Sequence, residues 1–209
     1  MLGENRGRRS FLQLGAVLGA TAAFSQFLEP EVRADETQRS LQPPPEPPNT
    51  TWISTIVPQG EPGDPLIVSG KVFAPDGKRP VANVIVYAYN TDRDGYYSPD
   101  GKVGHPRLKG HMKTEAEGRF QLRTIVPGRY PGMRIPAHIH FNMWSAGYPV
   151  QWADELRFEG DSYLTEEMTR ESEALGKFAT IRPCRKDPNG VYRCEINLRL
   201  LTKSNFPAH

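Results

Sequence analysis

The histidines His138 and His140 form the part of this 209-residue sequence best suited to chemistry. In an extended strand side chains alternate between faces, so the two imidazoles would point to one side and Ile139 to the other. Tyr130 precedes them in a stretch whose prolines and glycines exclude a regular helix and bring the phenol close. A packed or surface histidine pair is the simpler reading. The apolar, proline-rich setting of two of only five histidines favours a metal site instead.

Two strings around these residues, PGRYP at 127–131 and PAHIHF at 136–141, resemble the signature of the intradiol ring-cleavage dioxygenases. That family holds a non-haem iron(III) ion with two tyrosines and two histidines. The resemblance implies that Tyr130, His138 and His140 are three of the metal ligands.

The fourth ligand is expected in the segment YAYNTDRDGYYSPDG, residues 87–101. The family's spacing of an aromatic residue, Asp, Gly and Tyr fits Tyr89, Asp92, Gly95 and Tyr97 without a gap. Tyr97 is therefore favoured over its neighbour Tyr96 as the fourth ligand.

These residue types suit iron(III), because phenolate is a hard anionic donor and imidazole fills the remaining positions without adding charge. Zinc is the alternative metal, although zinc sites prefer Cys, His and carboxylate ligands. The resemblance implies a dioxygenase that cleaves a catechol-type ring between its two hydroxyl-bearing carbons with O2. The product would be a cis,cis-muconate-type diacid. Tyr130 would be the displaceable ligand that becomes protonated, and no organic cofactor would be needed.

Two positions depart from the family pattern beside the metal ligands. Many members carry Arg immediately before the Pro-Ala-His-Ile-His string, where this sequence has Ile135 with Arg134 one position earlier. A Gln often stands where this sequence has Glu155. Arg134 and Glu155 are therefore candidate catalytic residues beside Tyr130, and the departures bear on substrate and rate more than on metal binding.

Two other classes of function remain open from the sequence. One is a non-catalytic, transthyretin-like β-sandwich binding module in which the His and Tyr residues are only packed. The other is a zinc or copper metalloenzyme. The red-brown colour of phenolate bound to iron(III) would separate the dioxygenase from both.

The elements that position these residues are predicted to be short strands. The candidates are 66–73, 81–89, 119–125, 137–144, 156–158, 178–183 and 191–201. The segment 92–102 reads as a loop, and residues 163–176 could form a short helix begun at Thr165. Seven or eight strands in about 150 residues predict an all-β fold, a single antiparallel β-sandwich domain with long loops over residues 51–209.

Residues 1–34 are predicted to be an export leader. Arg8 and Arg9 precede Phe11 and Leu12 in a pattern that resembles a twin-arginine signal, followed by an apolar run too short for a confident membrane span. A chance arginine pair before a buried helix is the competing reading. The mature protein is thus expected to be exported, periplasmic or extracellular, with no stable membrane insertion.

Residues 35–50 are polar and then proline-rich, which predicts an extended polyproline arm or linker. Removing residues 1–34 lowers the formal net charge from +2 to +1, so charge gives no reason to expect a nucleic acid partner. The expected partners are a small catechol-type substrate and O2. The sequence leaves the oligomeric state open, with a homo-oligomer as one option.

The two cysteines, Cys184 and Cys194, flank the turn sequence Asp-Pro-Asn-Gly at 187–190. They should face each other across a hairpin, which predicts a disulfide in an oxidising compartment. Two free thiols are the alternative, and metal binding by the pair is disfavoured because the chain has no other Cys.

Overall fold

The computed structural model describes residues 43–98 and 106–206. The predicted leader lies outside the described residues, as do residues 99–102 of the predicted loop. The described residues form ten strands, one α-helix and one short 3-10 helix.

Five strands form a first sheet in the order β1-β5-β2-β10-β9. Their bounds are β1 Ile53–Thr55, β2 Pro65–Phe73, β5 Arg119–Ile125, β9 Arg185–Lys186 and β10 Tyr192–Arg199. The other five form a second sheet in the order β4-β3-β6-β7-β8. Their bounds are β3 Ile85–Asn90, β4 Leu108–Lys113, β6 His138–Ser145, β7 Tyr148–Phe158 and β8 Ile181–Arg182.

The core lies between the sheets and is built by alternation along each strand. On β6, for example, Ile139, Phe141 and Met143 are buried in the core, and Val86 and Ala88 of β3 join them. Burying such side chains contributes about 1.5–3 kcal/mol each. Alternation leaves the remaining residues of β6 and β3 on the outer face of the second sheet.

The all-β sandwich expected from the sequence is confirmed. Most neighbouring strands run antiparallel, but β1 with β5, β2 with β10, and β7 with β8 run parallel. Hydrophobic alternation is the same for both directions, so the sequence pattern did not indicate these pairs.

Helix α1 spans Glu166–Ala174, within the predicted 163–176, and Gly176–Phe178 form the 3-10 turn after it. Thr165 caps α1 as expected, because its hydroxyl accepts a hydrogen bond from the backbone N–H of Met168 at 3.1 Å. Within the two described ranges, no helix is both long and apolar enough for a membrane crossing.

The described part of the predicted arm, residues 43–50, contains neither helix nor strand. The carbonyl of Pro44 lies 2.8 Å from Nε2 of His111 on β4. The arm therefore contacts the outer face of the second sheet, where His111 packs against Tyr87.

Candidate metal centre

His138 and His140 lie side by side on the outer face of β6, as alternation predicts. Both side chains are buried, and their Nε2 atoms are 3.0 Å apart. The ring of Tyr89 on β3 stacks on His140 with centroids 4.6 Å apart. Tyr89 was identified from the sequence only as a spacing marker, yet it fixes the plane of a histidine ring.

Two phenol groups complete the cluster from loops above the sheet. The hydroxyl of Tyr130 lies 3.2 Å from Nε2 of His138 and 3.3 Å from Nε2 of His140. The hydroxyl of Tyr97 is in direct contact with that of Tyr130. Two oxygens and two nitrogens therefore form one cluster, with the Tyr130 oxygen in contact with the other three atoms. Tyr96 is 45% exposed, and it is Tyr97 that the structure brings into the cluster.

The loops that carry the two tyrosines are pressed together backbone to backbone at two glycines. A Cβ on Gly95 would lie 1.9 Å from the carbonyl oxygen of Arg129, and one on Gly128 would lie 2.5 Å from the nitrogen of Gly95. Gly95 also has φ +90°, which L side chains rarely adopt. The N–H of Gly128 donates to the carbonyl of Asp92 at 2.8 Å. These contacts set the distance between the two phenols.

Asp161 holds both ends of the segment that leads from Tyr130 to the histidines. Its Oδ2 accepts hydrogen bonds at 3.0 Å from Nε of Arg129 and at 3.0 Å from the N–H of Ala137. No role for Asp161 was predicted from the sequence. It lies 24 residues after Ala137, so only the fold brings them together.

The outer nitrogens of the two histidines face acceptors, which leaves Nε2 as the donor atom of each ring. Nδ1 of His138 lies 2.7 Å from the carbonyl of Pro136 and donates to it. Nδ1 of His140 lies 3.0 Å from Oε1 of Glu155, although the two are not aligned as in a normal hydrogen bond. Metal-binding histidines usually carry such an acceptor on the nitrogen that does not bind the metal.

The electrostatics of the cluster suit a cation. Burial, and then the neighbouring Tyr130, raise the pKa of the Tyr97 phenol well above 10. Burial, and then His140, lower the pKa of His138 to about 4, so its imidazole is neutral at pH 7. The neutral imidazole of His138 gives the neighbouring phenols no positive charge, and a metal ion would supply the charge that favours phenolate.

The expected catalytic residues occupy three different places. Tyr130 is in the cluster. Glu155 lies behind His140, where burial alone would raise the pKa of its carboxyl, but His140, His138 and Arg157 outweigh burial and lower it well below its usual range. Arg134 is exposed and lies over the ring of Tyr163 at 5.7 Å, so its catalytic role stays a prediction.

His138, His140 and Glu155 also place three metal-binding atoms within 4.8 Å of one another, a set that zinc could use. Such a site would need the Nδ1 side of His140, where Glu155 lies. Both Nε2 atoms, however, face each other and the phenol of Tyr130. The donor set that converges is therefore two phenols and two imidazoles, which fits the iron(III) implied by the sequence motif.

Comparison with known proteins agrees with this geometry. A family model described as Dioxygenase matches residues 48–187, more than half of the chain. The chain belongs to the intradiol ring-cleavage dioxygenase family. The resemblance indicated by the tyrosine and histidine strings is thereby confirmed.

Among the family's curated members, catechol 1,2-dioxygenase 2 of Acinetobacter lwoffii is 32% identical over 125 residues, covering 51% of this chain and 44% of the relative. The 6-chlorohydroxyquinol 1,2-dioxygenase of Cupriavidus pinatubonensis is 34% identical over 125 residues, covering 52% of this chain and 45% of the relative. The alignments thus span less than half of the length of these two relatives.

A solved structure extends the likeness over most of the fold. It is the dioxygenase domain of a dioxygenase carbohydrate-binding protein fusion from Streptomyces sp. SirexAA-E. It is 29% identical with a TM-score of 0.55, and the match covers 78% of this chain and 96% of that one.

Proposed function

We propose that this protein is a non-haem iron(III) dioxygenase that cleaves a catechol-type ring between its two hydroxyl-bearing carbons. One O2 is consumed per ring, and both oxygen atoms enter a cis,cis-muconate-type diacid. The observation that carries the proposal is the convergence of the Tyr97 and Tyr130 oxygens with the Nε2 atoms of His138 and His140. The substrate class is inferred from the names of the relatives, which act on catechol and on 6-chlorohydroxyquinol.

In this proposal Tyr97, Tyr130, His138 and His140 hold the ion. Iron(III), when bound, would draw electron density from the bound catecholate and make its ring reactive towards O2. The protein's own contribution is positioning and proton transfer. The Tyr130 oxygen accepts one of the two protons that the catechol loses on binding, while the buried imidazole of His138 stays neutral. Loop contacts at Gly95 and Gly128 hold the phenols in place.

Metal content and colour test this function directly. Protein purified without chelators should contain iron and show the broad visible band of phenolate bound to iron(III). Variants His138→Ala and His140→Ala should bring iron and the band to near background, because each removes one donor. Full iron retention in both would rule out the assignment.

His111→Ala is the matched control, since His111 lies on the same sheet face but bonds to Pro44 rather than to the cluster. It should keep its iron, its colour and its oxygen uptake with catechol. Colourless protein that contains zinc or copper would favour the metalloenzyme alternative. Metal-free protein that binds catechols without consuming O2 would favour a binding module.

We also propose that residues 1–34 direct export of the folded protein, leaving residues 35–50 as an arm and residues 51–209 as one catalytic domain. The support is the Arg8-Arg9 pair followed by a short apolar run. A variant with both Arg8→Lys and Arg9→Lys should stay in the cytoplasm, whereas Arg6→Lys should be exported. Unchanged export of the double variant would exclude a twin-arginine route.

A further inference from the structure

An irregularity in β7 places a carboxylate behind one histidine of the metal cluster. On β6 and β7, Ile139 pairs with Leu156 and Phe141 pairs with Ala153. One residue of β6, His140, is thus opposite two residues of β7, which is the count of a β-bulge. The bulge brings Glu155 to the outer face beside His140, where its side chain is only 10% exposed.

Glu155 is itself held by a cation from the same strand. Its Oε1 lies 3.0 Å from Nδ1 of His140, and its Oε2 lies 2.9 Å from Nη2 of Arg157. Arg157 pairs in register with His138, so its side chain shares the face of the metal cluster. The guanidinium is 26% exposed, and its Nε is buried without a hydrogen-bond partner among the described residues. This arginine is therefore built into the site and is not a surface side chain.

We propose that Glu155 and Arg157 form an ion pair that positions His140 and sets how strongly this histidine donates to the metal. The inference rests on the proposed iron site. It assigns the two residues as positioning residues with opposite effects. The carboxylate adds negative charge at Nδ1, which strengthens the imidazole as a donor and favours iron(III) over iron(II). The guanidinium fixes the carboxylate and offsets part of its charge.

The geometry supports this role over a purely structural one. A carboxylate left in a buried setting without a partner is costly, and here both of its oxygens face a partner. Among the described residues Nδ1 of His140 makes no hydrogen bond of normal geometry, and the carboxylate of Glu155 lies 3.0 Å from it. Contacts of this kind behind a ligand typically change metal affinity 10- to 100-fold when removed.

The reduction potential of the bound iron and its visible band test the proposal. Glu155→Gln keeps the side-chain shape and removes the charge. It should weaken the preference for iron(III) over iron(II) about tenfold, a rise in potential of about 59 mV for one electron. The phenolate band should move to longer wavelength, because a more electron-poor iron(III) lowers the charge-transfer energy.

Arg157→Met should have the opposite effect on the reduction potential and on the visible band. The potential should fall by a similar amount, because the carboxylate then acts without its counter-charge. Arg157→Lys should recover most of the original potential. If the ion pair had a merely structural role, Glu155→Gln and Arg157→Met would shift the reduction potential in the same direction. If Glu155→Gln does not retain iron, the two Arg157 variants decide the question by the same criterion.

Asp154→Asn is the matched control. Asp154 is the other residue of the bulge, and its side chain is exposed. The same loss of charge one residue away should shift the potential by less than a third as much. Equal shifts in Asp154→Asn and Glu155→Gln would overturn the proposal, as would no shift in Glu155→Gln. An original protein without iron would instead defeat the proposed function, and the inference with it.

Discussion

At the scale of single residues, two neighbouring tyrosines have opposite environments. Tyr97 is half-buried and contacts Tyr130, whereas Tyr96 is exposed. Tyr97→Phe removes one of two phenolate donors, so iron(III) becomes less favoured and the visible band should weaken and shift. We expect at least a tenfold loss of iron affinity, measured by competition with a chelator.

Tyr96→Phe is the control for this substitution, because it removes the same hydroxyl from the adjacent position. Colour, iron content and oxygen uptake should change little. The reverse pattern, with colour lost in Tyr96→Phe and kept in Tyr97→Phe, would show that the other tyrosine is the ligand.

Motif spacing predicted which four side chains the structure brings together, because short strings carry the two histidines and Tyr130, and a gapless fit selects Tyr97. The residues around the donors were harder to predict. Arg157 reaches the site through strand register, and the placing of Glu155 depends on a bulge. Neither register nor bulges can be read from the alternation of a single strand.

At the scale of elements, the contact between the two tyrosine loops is the most demanding feature of the site. A Cβ at position 128 would lie 2.4 Å from the carbonyl oxygen of Arg93 and 2.5 Å from the nitrogen of Gly95. Both are backbone atoms, which cannot move aside as the flexible end of a side chain can. Gly128→Ala should therefore lower the free energy of unfolding by about 1–3 kcal/mol and reduce iron retention. Thermal unfolding and metal analysis would measure both.

Gly147→Ala provides the comparison, since a Cβ at position 147 in the β6–β7 turn would meet no atom of the described residues within 4 Å. Its stability and iron content should match those of the original protein. If Gly128→Ala behaves like Gly147→Ala, the loops do not depend on this close approach.

Asp161 ties the segment between Tyr130 and β6 to the sheet, and its side chain is only 6% exposed. Asp161→Ala removes the acceptor of three hydrogen bonds, from Arg129, Ala137 and Tyr163. We expect a loss of about 1–3 kcal/mol in the free energy of unfolding at pH 7, measured by chemical denaturation.

The same substitution has an expected pH dependence. Burial alone would raise the pKa of Asp161, but hydrogen bonds from Tyr163, Arg129 and Ala137 outweigh burial and lower it. A lowered pKa in the folded state stabilises the protein above the ordinary value of about 3.8, and this stabilisation is lost as pH falls through the folded pKa. The difference in the free energy of unfolding between the original protein and Asp161→Ala should hence become smaller below about pH 3.8. A constant difference down to pH 2 would contradict this account.

Strand prediction succeeded where alternation is regular and failed where it is not. The strand at 119–125 has the expected bounds, and 66–73 misses only Pro65 of β2. Strand β7 is eleven residues long rather than three, because its bulge breaks the alternation before Leu156. The sequence LKGHMK of β4 was not predicted, since its Lys and Gly residues are poor strand formers and tertiary pairing decides the outcome.

At the scale of the whole molecule, the first sheet ends in a covalently closed hairpin. Cys184 and Cys194 form a disulfide with Cα atoms 4.6 Å apart, as their symmetric spacing about the turn predicted. The bond joins the segment beside β9 to β10, and β10 pairs along its whole length with β2 in the centre of that sheet. The four side chains of the proposed metal centre come from the other sheet and its loops, so the disulfide and this cluster belong to different parts of the sandwich.

This separation leads to a prediction about reduction of the disulfide. Closing a loop of ten residues restricts the unfolded chain and contributes about 2 to 3 kcal/mol by the chain-entropy model. Replacing both cysteines with serine should lower the melting temperature by about 4–12 °C, because 1 kcal/mol corresponds to about 2–4 °C at this chain length. Iron content and the visible band at 25 °C should stay the same, since β6 and the tyrosine loops keep their contacts. Intact-mass measurement with and without reductant checks the bond itself, and loss of colour on reduction at a temperature where the fold persists would show that the two parts are coupled.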